Sequence, residues 1–246
     1  MKRCNFQEVW LISVWLCLGG LGLTADPNRP TIAKSDGKPL RPPLQVFVYN
    51  YASLSSGDLK LAIEVATDIY RNVGIRLEWL DCYSTVGEPN YNTECRQGKP
   101  TRLVLRILPR SQAEGLKQPA SALGFAILND SGDLAHYANV FYHRVEELSG
   151  RWTSSRPVVL GHVMAHEMGH LLLGARNHSR TGLMIANWDR AELEQVNRRA
   201  FTFSCQQARE IRARFLERCT AEVSRLSEVA EKSQVGDASD WDRERW

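Results

Sequence analysis

The sequence predicts an α+β fold, in which a mixed, twisted sheet of about five strands packs on one long helix and precedes a mainly helical C-terminal part. Three observations support this fold class. Five short segments are rich in β-branched and aromatic residues. The first two of them flank a helical pattern, and all five precede the long, mostly apolar segment RPVVLGHVMAHEMGHLLLG. With 246 residues, of which 43% are hydrophobic, the chain can bury a sizeable core.

The N-terminus has the pattern of a secretory signal peptide. Lys2 and Arg3 precede an apolar run over residues 9–25, which ends in small residues. A membrane anchor is the alternative, but the run is shorter than a span of about 20 residues and contains two adjacent glycines. We therefore expect residues 1–25 to be cleaved after Ala25 and the mature protein to be secreted or periplasmic, without membrane contact.

The rest of the chain divides into three parts. Residues 26–43 are rich in proline and charge and predict a flexible lead-in. Residues 44–231 predict one domain, and residues 232–246 a polar tail. The 31 basic and 28 acidic residues, a net charge of +3, are interspersed without a basic block, so nucleic acid is not an expected partner.

The domain begins with a strand–helix–strand unit. Residues 44–51 predict a strand, and apolar residues at helical spacing from Leu59 to Val73 predict a helix that ends at Gly74. The alternating segment 75–83 predicts a second strand. Because a crossover helix joins strands that pair in parallel, this unit predicts parallel pairing.

Three further strands and three helices complete the expected order. The strands are predicted at residues 101–109, 121–130 and 137–148, and the edge of the sheet is the place considered for the last of them. The long helix should begin near Ser155 and end at Gly174, a good left-handed capping residue. A short helix capped by Asp189 follows. An amphipathic pattern over residues 208–230 predicts the last helix.

The mature chain would keep an even number of cysteines, because Cys4 and Cys17 leave with the signal peptide. The four that remain are Cys82, Cys95, Cys205 and Cys219. In an oxidising compartment they favour disulfides, with three connectivities open. If the last helix includes Cys205, then Cys205 and Cys219 are about 21 Å apart, too far for a bridge that needs about 7 Å. Either that helix starts later, or these two pair with Cys82 and Cys95. Buried thiols are the remaining alternative.

The long helix carries the motif HEMGH. His166 and His170 are one helical turn apart, so both imidazoles lie on one face and suit two ligands of one zinc ion. Glu167 can reach the open position of the metal, take a proton from the attacking water and give it to a leaving amine. His162 lies about 12 Å from His170 along the axis and cannot bind the same ion, so we interpret it as a packed or surface residue. His136 and His143 are expected to be solvated.

The segment HEMGHLLLGARNH, followed by SRTGLM, resembles the metzincin superfamily of zinc endopeptidases. Their pattern is HExxHxxGxxH, followed by a tight turn with a methionine beneath the metal. Here the glycine comes one residue later and the last histidine two residues later. The resemblance implies a metzincin-like catalytic domain over residues 44–231, His178 as the third ligand of one catalytic zinc, and Met184 in the methionine turn. The cysteine-rich second-metal signature of the archaemetzincins does not follow His178, so no second zinc is expected.

Other third ligands remain open. In the thermolysin-like gluzincins a later helical glutamate binds the zinc, and Glu192 or Glu194 lies at a comparable distance downstream. Both would otherwise belong to a solvated helix face. The leading hypothesis is a secreted zinc metalloendopeptidase that hydrolyses a peptide or protein substrate, which the edge strand could align. The alternatives are a gluzincin-type peptidase and an inactive, zinc-stabilised exported binding module. The sequence predicts neither the substrate nor the oligomeric state.

Overall fold

The computed structural model describes residues 42–82, 95, 102–128, 136–174 and 178–237. The predicted signal peptide and nearly all of the lead-in therefore lie outside the described residues, as does the end of the polar tail. No helix in these ranges is both long enough and apolar enough to span a membrane.

Strands and helices follow the predicted order, with two changes that concern the last predicted strand. It is an inner strand of the sheet, and its second half is a helix. The strands are β1 Leu44–Asn50, β2 Leu77–Asp81, β3 Arg102–Leu108, β4 Gly124–Ile127 and β5 Tyr137–Phe141. The helices are α1 Ser56–Val73, α2 Arg110–Ala113, α3 Tyr142–Arg151, α4 Arg156–Leu173, α5 Arg190–Asn197 and α6 Cys205–Asp237, with one 3-10 turn at Glu114–Leu116. The last helix thus passes the boundary expected at residue 231.

The sheet is mixed and five-stranded, with the order β2-β1-β3-β5-β4. The first four strands of this order pair in parallel, as the βαβ unit predicts for β1 and β2. Strand β4 alone is antiparallel and forms the edge of the described sheet. The expectation that residues 137–148 form an edge strand is wrong. They begin as the inner strand β5 and turn into α3 at Tyr142, because Val145 and Leu148 recur at helical spacing and are buried.

Helix α4 is buried along its length. Every residue from Val158 to Leu173 is buried, between α1, the sheet and α6. Its approach to α1 requires a glycine, since a Cβ on Gly161 would lie 2.5 Å from the carbonyl oxygen of Ala62. At the far end, Arg218 of α6 donates a hydrogen bond of 2.6 Å to the carbonyl oxygen of Leu171. Any polar side chain on the inner faces of α4 therefore lies in a water-poor environment.

One described disulfide is local and joins two cysteines whose pairing the sequence left open. Cys82, just after β2, is bonded to Cys95, with their Cα atoms 5.8 Å apart. Helix α6 begins at Cys205, so the geometric argument against a Cys205–Cys219 bridge applies. The remaining alternative, in which Cys205 and Cys219 pair with Cys82 and Cys95, is wrong. Cys82 and Cys95 are bonded to each other instead. Cys219 packs half-buried against the hydrophobic core.

Candidate metal centre

Helix α4 places two histidines and a glutamate at the centre of the fold. His166 and His170 are one turn apart, with ring centroids separated by 4.8 Å and their Nε2 atoms by 3.1 Å. Both side chains are almost fully buried, at 6% exposure each. The regular helix alone therefore brings two imidazole nitrogens to a common point, as the spacing of HEMGH predicts.

The chain then turns back to bring a third histidine to the same point. Gly174 ends α4 in the left-handed conformation, with φ of 59°. His178 follows, with its ring centroid 5.3 Å from that of His166 and 4.9 Å from that of His170. One ring nitrogen from each histidine lies within 4.8 Å of the others. Unlike its two neighbours, His178 is exposed.

These three histidines could bind one metal ion. In a tetrahedral site, two nitrogens bound to zinc at about 2.0–2.1 Å are about 3.4 Å apart. The 3.1 Å pair is close to this value, and the widest pair of the triad has to close by up to about 1.4 Å. The exposed ring of His178 has room for this adjustment. Three protein nitrogens would leave a fourth position open, which is the arrangement of catalytic rather than structural zinc sites.

The protonation of the histidines also suits a metal. Burial, and secondarily the neighbouring His170, lowers the pKa of His166 to about 3. Burial also lowers the pKa of His178. His166 is therefore a neutral imidazole at neutral pH, which is the form that binds metal ions.

A turn after the third histidine orients the first one. His166 Nδ1 donates a hydrogen bond of 2.7 Å to the carbonyl oxygen of Leu183. This bond assigns the ring proton to Nδ1 and leaves the lone pair of Nε2 for a metal. The turn itself depends on Gly182, whose φ is 73° and on which a Cβ would lie 2.8 Å from the amide nitrogen of Ser204.

Met184 lies in the same turn, beneath the helix. Its side chain is 2% exposed. A Cβ on Gly169 would lie 2.8 Å from the Met184 sulfur, so the absence of a side chain at Gly169 lets the methionine reach the helix backbone. The Met184 side chain therefore packs against α4 at Gly169, the residue that precedes His170.

Glu167 is buried and lies against a strand. It is 4% exposed, and its Oε2 atom has no hydrogen-bond partner among the described residues. A Cβ on Gly124 of β4 would lie 2.8 Å from Glu167 Oε1, so the backbone of the edge strand passes directly over the carboxyl group. Burial raises the pKa of Glu167 to about 8. An unpaired carboxyl group in a buried position is the kind of group that active sites retain.

A cavity of about 600 Å³ connects these groups. The three histidines and Glu167 lie in its wall. Residues 118–123 and β4 line one side, and residues 186–188 another. Among the described residues that line it, no aspartate, lysine or arginine is present. The cavity is therefore an open, mostly uncharged cleft beside the metal-binding triad, of the size that binding sites have.

Trp188, in the wall of the cavity, contacts the first histidine. Its ring meets that of His166 edge-on at 5.9 Å and that of Phe201 at 5.1 Å. Its Nε1 donates to the carbonyl oxygen of Ile185 at 3.1 Å. Sequence reasoning did not single out Trp188, the Leu183 carbonyl or Gly124. Each acts through a contact distant in sequence or through the backbone, so no local pattern indicated it.

The remaining histidines lie outside the triad. His162 is fully buried, its Nδ1 donates to the carbonyl oxygen of Val158 at 2.8 Å, and its ring stacks on Phe201. It is packed, which is one of the two interpretations offered by the sequence. The expectation that His136 and His143 are solvated is wrong, since both are half-buried. His136 Nδ1 donates to the carbonyl oxygen of Arg102.

His162 should make stability depend on pH. Burial lowers its pKa from 6.5 to about 4. The unfolded chain therefore takes up this proton first as the pH falls from 6.5 to 4, and the folded state loses up to about 3 kcal/mol in that window. We expect the free energy of unfolding in urea to fall further between pH 6.5 and 4 for the native protein than for His162→Phe, because phenylalanine does not titrate. Parallel stability curves for the two proteins between pH 4 and 6.5 would contradict the prediction.

The two glutamates considered as rival ligands are occupied elsewhere. Glu192 accepts a hydrogen bond from the backbone nitrogen of Asp189 at 3.1 Å, in a capping box that starts α5. Glu194 forms an exposed ion pair with Arg190 at 3.1 Å. Neither belongs to the group of side chains that could hold a metal ion.

Comparison with known proteins gives likeness in structure but not in sequence. No protein-family model and no curated protein matches the chain. Among solved structures, the fold is similar to the crystal structure of archaemetzincin from Methanopyrus kandleri, with a TM-score of 0.41 and 15% sequence identity, over 70% of this chain and 95% of that chain. A likeness at this level gives no support to an assignment of function, which rests on the site itself.

Proposed function

We propose that the protein is an exported, zinc-dependent metalloendopeptidase of the metzincin type. The observation that carries the proposal is the grouping of three histidine nitrogens beside a buried, unpaired carboxyl group at the wall of an open cleft. The order of Gly174, His178 and Met184 after HEMGH supports the metzincin arrangement. The apolar N-terminal run supports export.

Each group in the site has a distinct task. His166, His170 and His178 bind the ion, and the Leu183 carbonyl holds His166 in the metal-binding tautomer. Zinc bound there would polarise the scissile carbonyl and lower the pKa of water at its open position. With the cation beside it to favour the ionised carboxylate, Glu167 would take a proton from the attacking water and pass it to the leaving amine. Met184 forms the apolar floor of the methionine turn.

The edge strand is suited to hold the substrate. Strand β4 has one neighbour among the described strands, and its backbone passes over Glu167 at Gly124. An extended peptide can pair with such an edge through main-chain hydrogen bonds. Its scissile bond would then lie between β4 and the triad, within reach of the carboxyl group.

The experiment that tests the proposal is peptide cleavage by the purified protein. A broad peptide library should be cut at internal bonds, cleavage should stop on treatment with EDTA, and added zinc should restore it. Zinc analysis of the same sample should give one ion per chain. Bound zinc without cleavage of any library member would count against a peptidase and favour the inactive binding module.

The lining of the cleft predicts a preference among peptides. The described lining of the cleft has no charged residue besides the glutamate and the histidines. Leucine or phenylalanine side chains can therefore enter it at little cost in free energy. An aspartate or lysine there would be desolvated without a partner. We expect kcat/KM to be about 10- to 100-fold higher for uncharged apolar residues flanking the scissile bond than for charged ones. Library profiling checks this expectation, and equal rates for leucine and aspartate would contradict it.

A further inference from the structure

One wall of the cleft is a short surface segment with few contacts of its own. This rim segment, residues 118–123, joins the 3-10 turn to β4, and all of its residues except Ala120 line the cavity. Three of its residues are exposed and three are half-buried. A turn with a hydrogen bond of 3.0 Å from Ala122 N to Pro119 O shapes it, and its last carbonyl, that of Leu123, accepts from Phe141 N at 2.8 Å. Only Leu123 at its end packs against the hydrophobic core, so the position of the rest of the segment depends largely on hydrogen bonds.

Two of those hydrogen bonds come from a single side chain on another element. Arg144 Nη1 donates to the carbonyl oxygen of Pro119 and to that of Ala122, each at 2.6 Å. The guanidinium lies over the ring of Phe141, 4.5 Å from its centroid. Phe141 is fully buried, so the ring that supports the guanidinium is fixed. Hydrogen bonds from a charged donor are among the stronger ones in proteins.

Arg144 is itself rigidly placed. It lies in the first turn of α3, whose Val145 and Leu148 are anchored in the core at 0% and 7% exposure. The side chain does not line the cavity, and it belongs to neither the triad nor the element that carries Glu167. It therefore connects the core to the rim segment without touching the reacting groups.

We infer that Arg144 is a positioning residue for peptide binding, which holds the rim segment in the place where it forms the wall of the cleft. The inference rests on the proposed function, because the rim matters to binding only if the cleft takes a peptide. Without the guanidinium, the carbonyls of Pro119 and Ala122 lose their charged donor and the segment relaxes. A peptide must then order the segment as it binds, and this ordering lowers affinity. The metal ligands and Glu167 are carried by other elements, so the chemical step is unaffected.

The test compares three variants with the native protein. Arg144→Gln removes the charge and the contact with both carbonyls. Arg144→Lys keeps a multiple donor but loses the planar group over Phe141. Arg110→Gln is the matched control, because Arg110 is exposed, pairs with Glu147 on the same helix α3 and makes no described hydrogen bond to the rim segment.

Three measurements separate a positioning role from a merely structural one. The first is KM and kcat for a quenched-fluorescence peptide with leucine on both sides of the scissile bond. The second is the zinc content, and the third is amide hydrogen exchange at residues 118–123. For Arg144→Gln we expect KM to rise about tenfold with kcat within about twofold, zinc content unchanged and exchange in the rim segment faster. Arg144→Lys should fall between this variant and the native protein, and Arg110→Gln should match the native protein.

Several outcomes would overturn the inference. Unchanged exchange at residues 118–123 in Arg144→Gln shows that the rim needs no such support. A fall in kcat together with loss of zinc shows that Arg144 serves the stability of the whole domain, and so does failure of Arg144→Gln to fold with no intermediate effect in Arg144→Lys. If the native protein cleaves no peptide, the proposed function fails. The exchange measurement then still decides whether Arg144 positions the rim.

Discussion

Replacing Glu167 by glutamine is expected to lower kcat for peptide cleavage by about 10²- to 10⁴-fold while the protein keeps its zinc. Glutamine has the shape of glutamate, so it fills the buried space beside Gly124. Its amide cannot take a proton from the attacking water, and none of the three metal-binding nitrogens is altered. Initial rates with the leucine peptide and zinc analysis of the same preparation give both quantities.

A matched control keeps this result specific. Glu194→Gln makes the same chemical change on an exposed side chain, whose described ion pair is with Arg190. It should retain the native rate, since exposed ion pairs contribute little to stability. If Glu167→Gln cleaves peptide at a rate close to that of the native protein, Glu167 is not the proton acceptor and the proposed mechanism is wrong.

Replacing His178 by alanine is expected to weaken zinc binding by more than about 100-fold. Loss of a residue that merely orients a ligand already costs about 10- to 100-fold, and this substitution removes a ligand. Because His178 is exposed and adds nothing to the core, the metal-free variant should be as stable as the metal-free native protein. Competition with a zinc-binding dye gives the dissociation constant, and thermal unfolding in EDTA checks the fold.

The comparison variant decides between the two candidate ligand sets. Glu192→Ala should keep its zinc and lose about 1 kcal/mol of stability, because it breaks the capping box of α5. Retention of zinc by His178→Ala together with its loss from Glu192→Ala would favour the gluzincin arrangement. That result would require α5 to move, since Glu192 now binds the backbone of Asp189.

The sequence predicted those parts of the fold that depend on local periodicity. Alternation and β-branched content located the five strands, and the parallel pairing of β1 and β2 followed from the helix between them. The sequence placed the wrong strand at the edge, because hydrophobic periodicity does not tell where a strand gives way to a helix. Residues 137–148 contain both, with the change at Tyr142. The pairing of Cys82 with Cys95 stayed one of several open possibilities for a different reason, since bond formation depends on how a loop closes and not on helical distance.

The same distinction applies to the candidate site. The pairing of His166 with His170 follows from one turn of helix, and the structure places their Nε2 atoms 3.1 Å apart. The reach of His178 depends on the path of the chain after Gly174, which spacing alone does not determine. The contacts that hold the site residues and the cleft wall in place join residues that are even further apart in the sequence. The Leu183 carbonyl, Gly124 and Arg144 each meet their partners across 17 or more residues.

The burial of α4 on all sides has a consequence for how the ion and the folded chain depend on each other. A helix without a solvent face has no stable existence before α1, the sheet and α6 surround it. The complete three-nitrogen site thus exists only in the folded domain. An ion that binds this site therefore stabilises the folded state relative to the unfolded chain. Free zinc at about 100 times its dissociation constant would add about 2.7 kcal/mol to the free energy of unfolding. The melting temperature of this protein should therefore rise with zinc concentration, and chelation should favour unfolding.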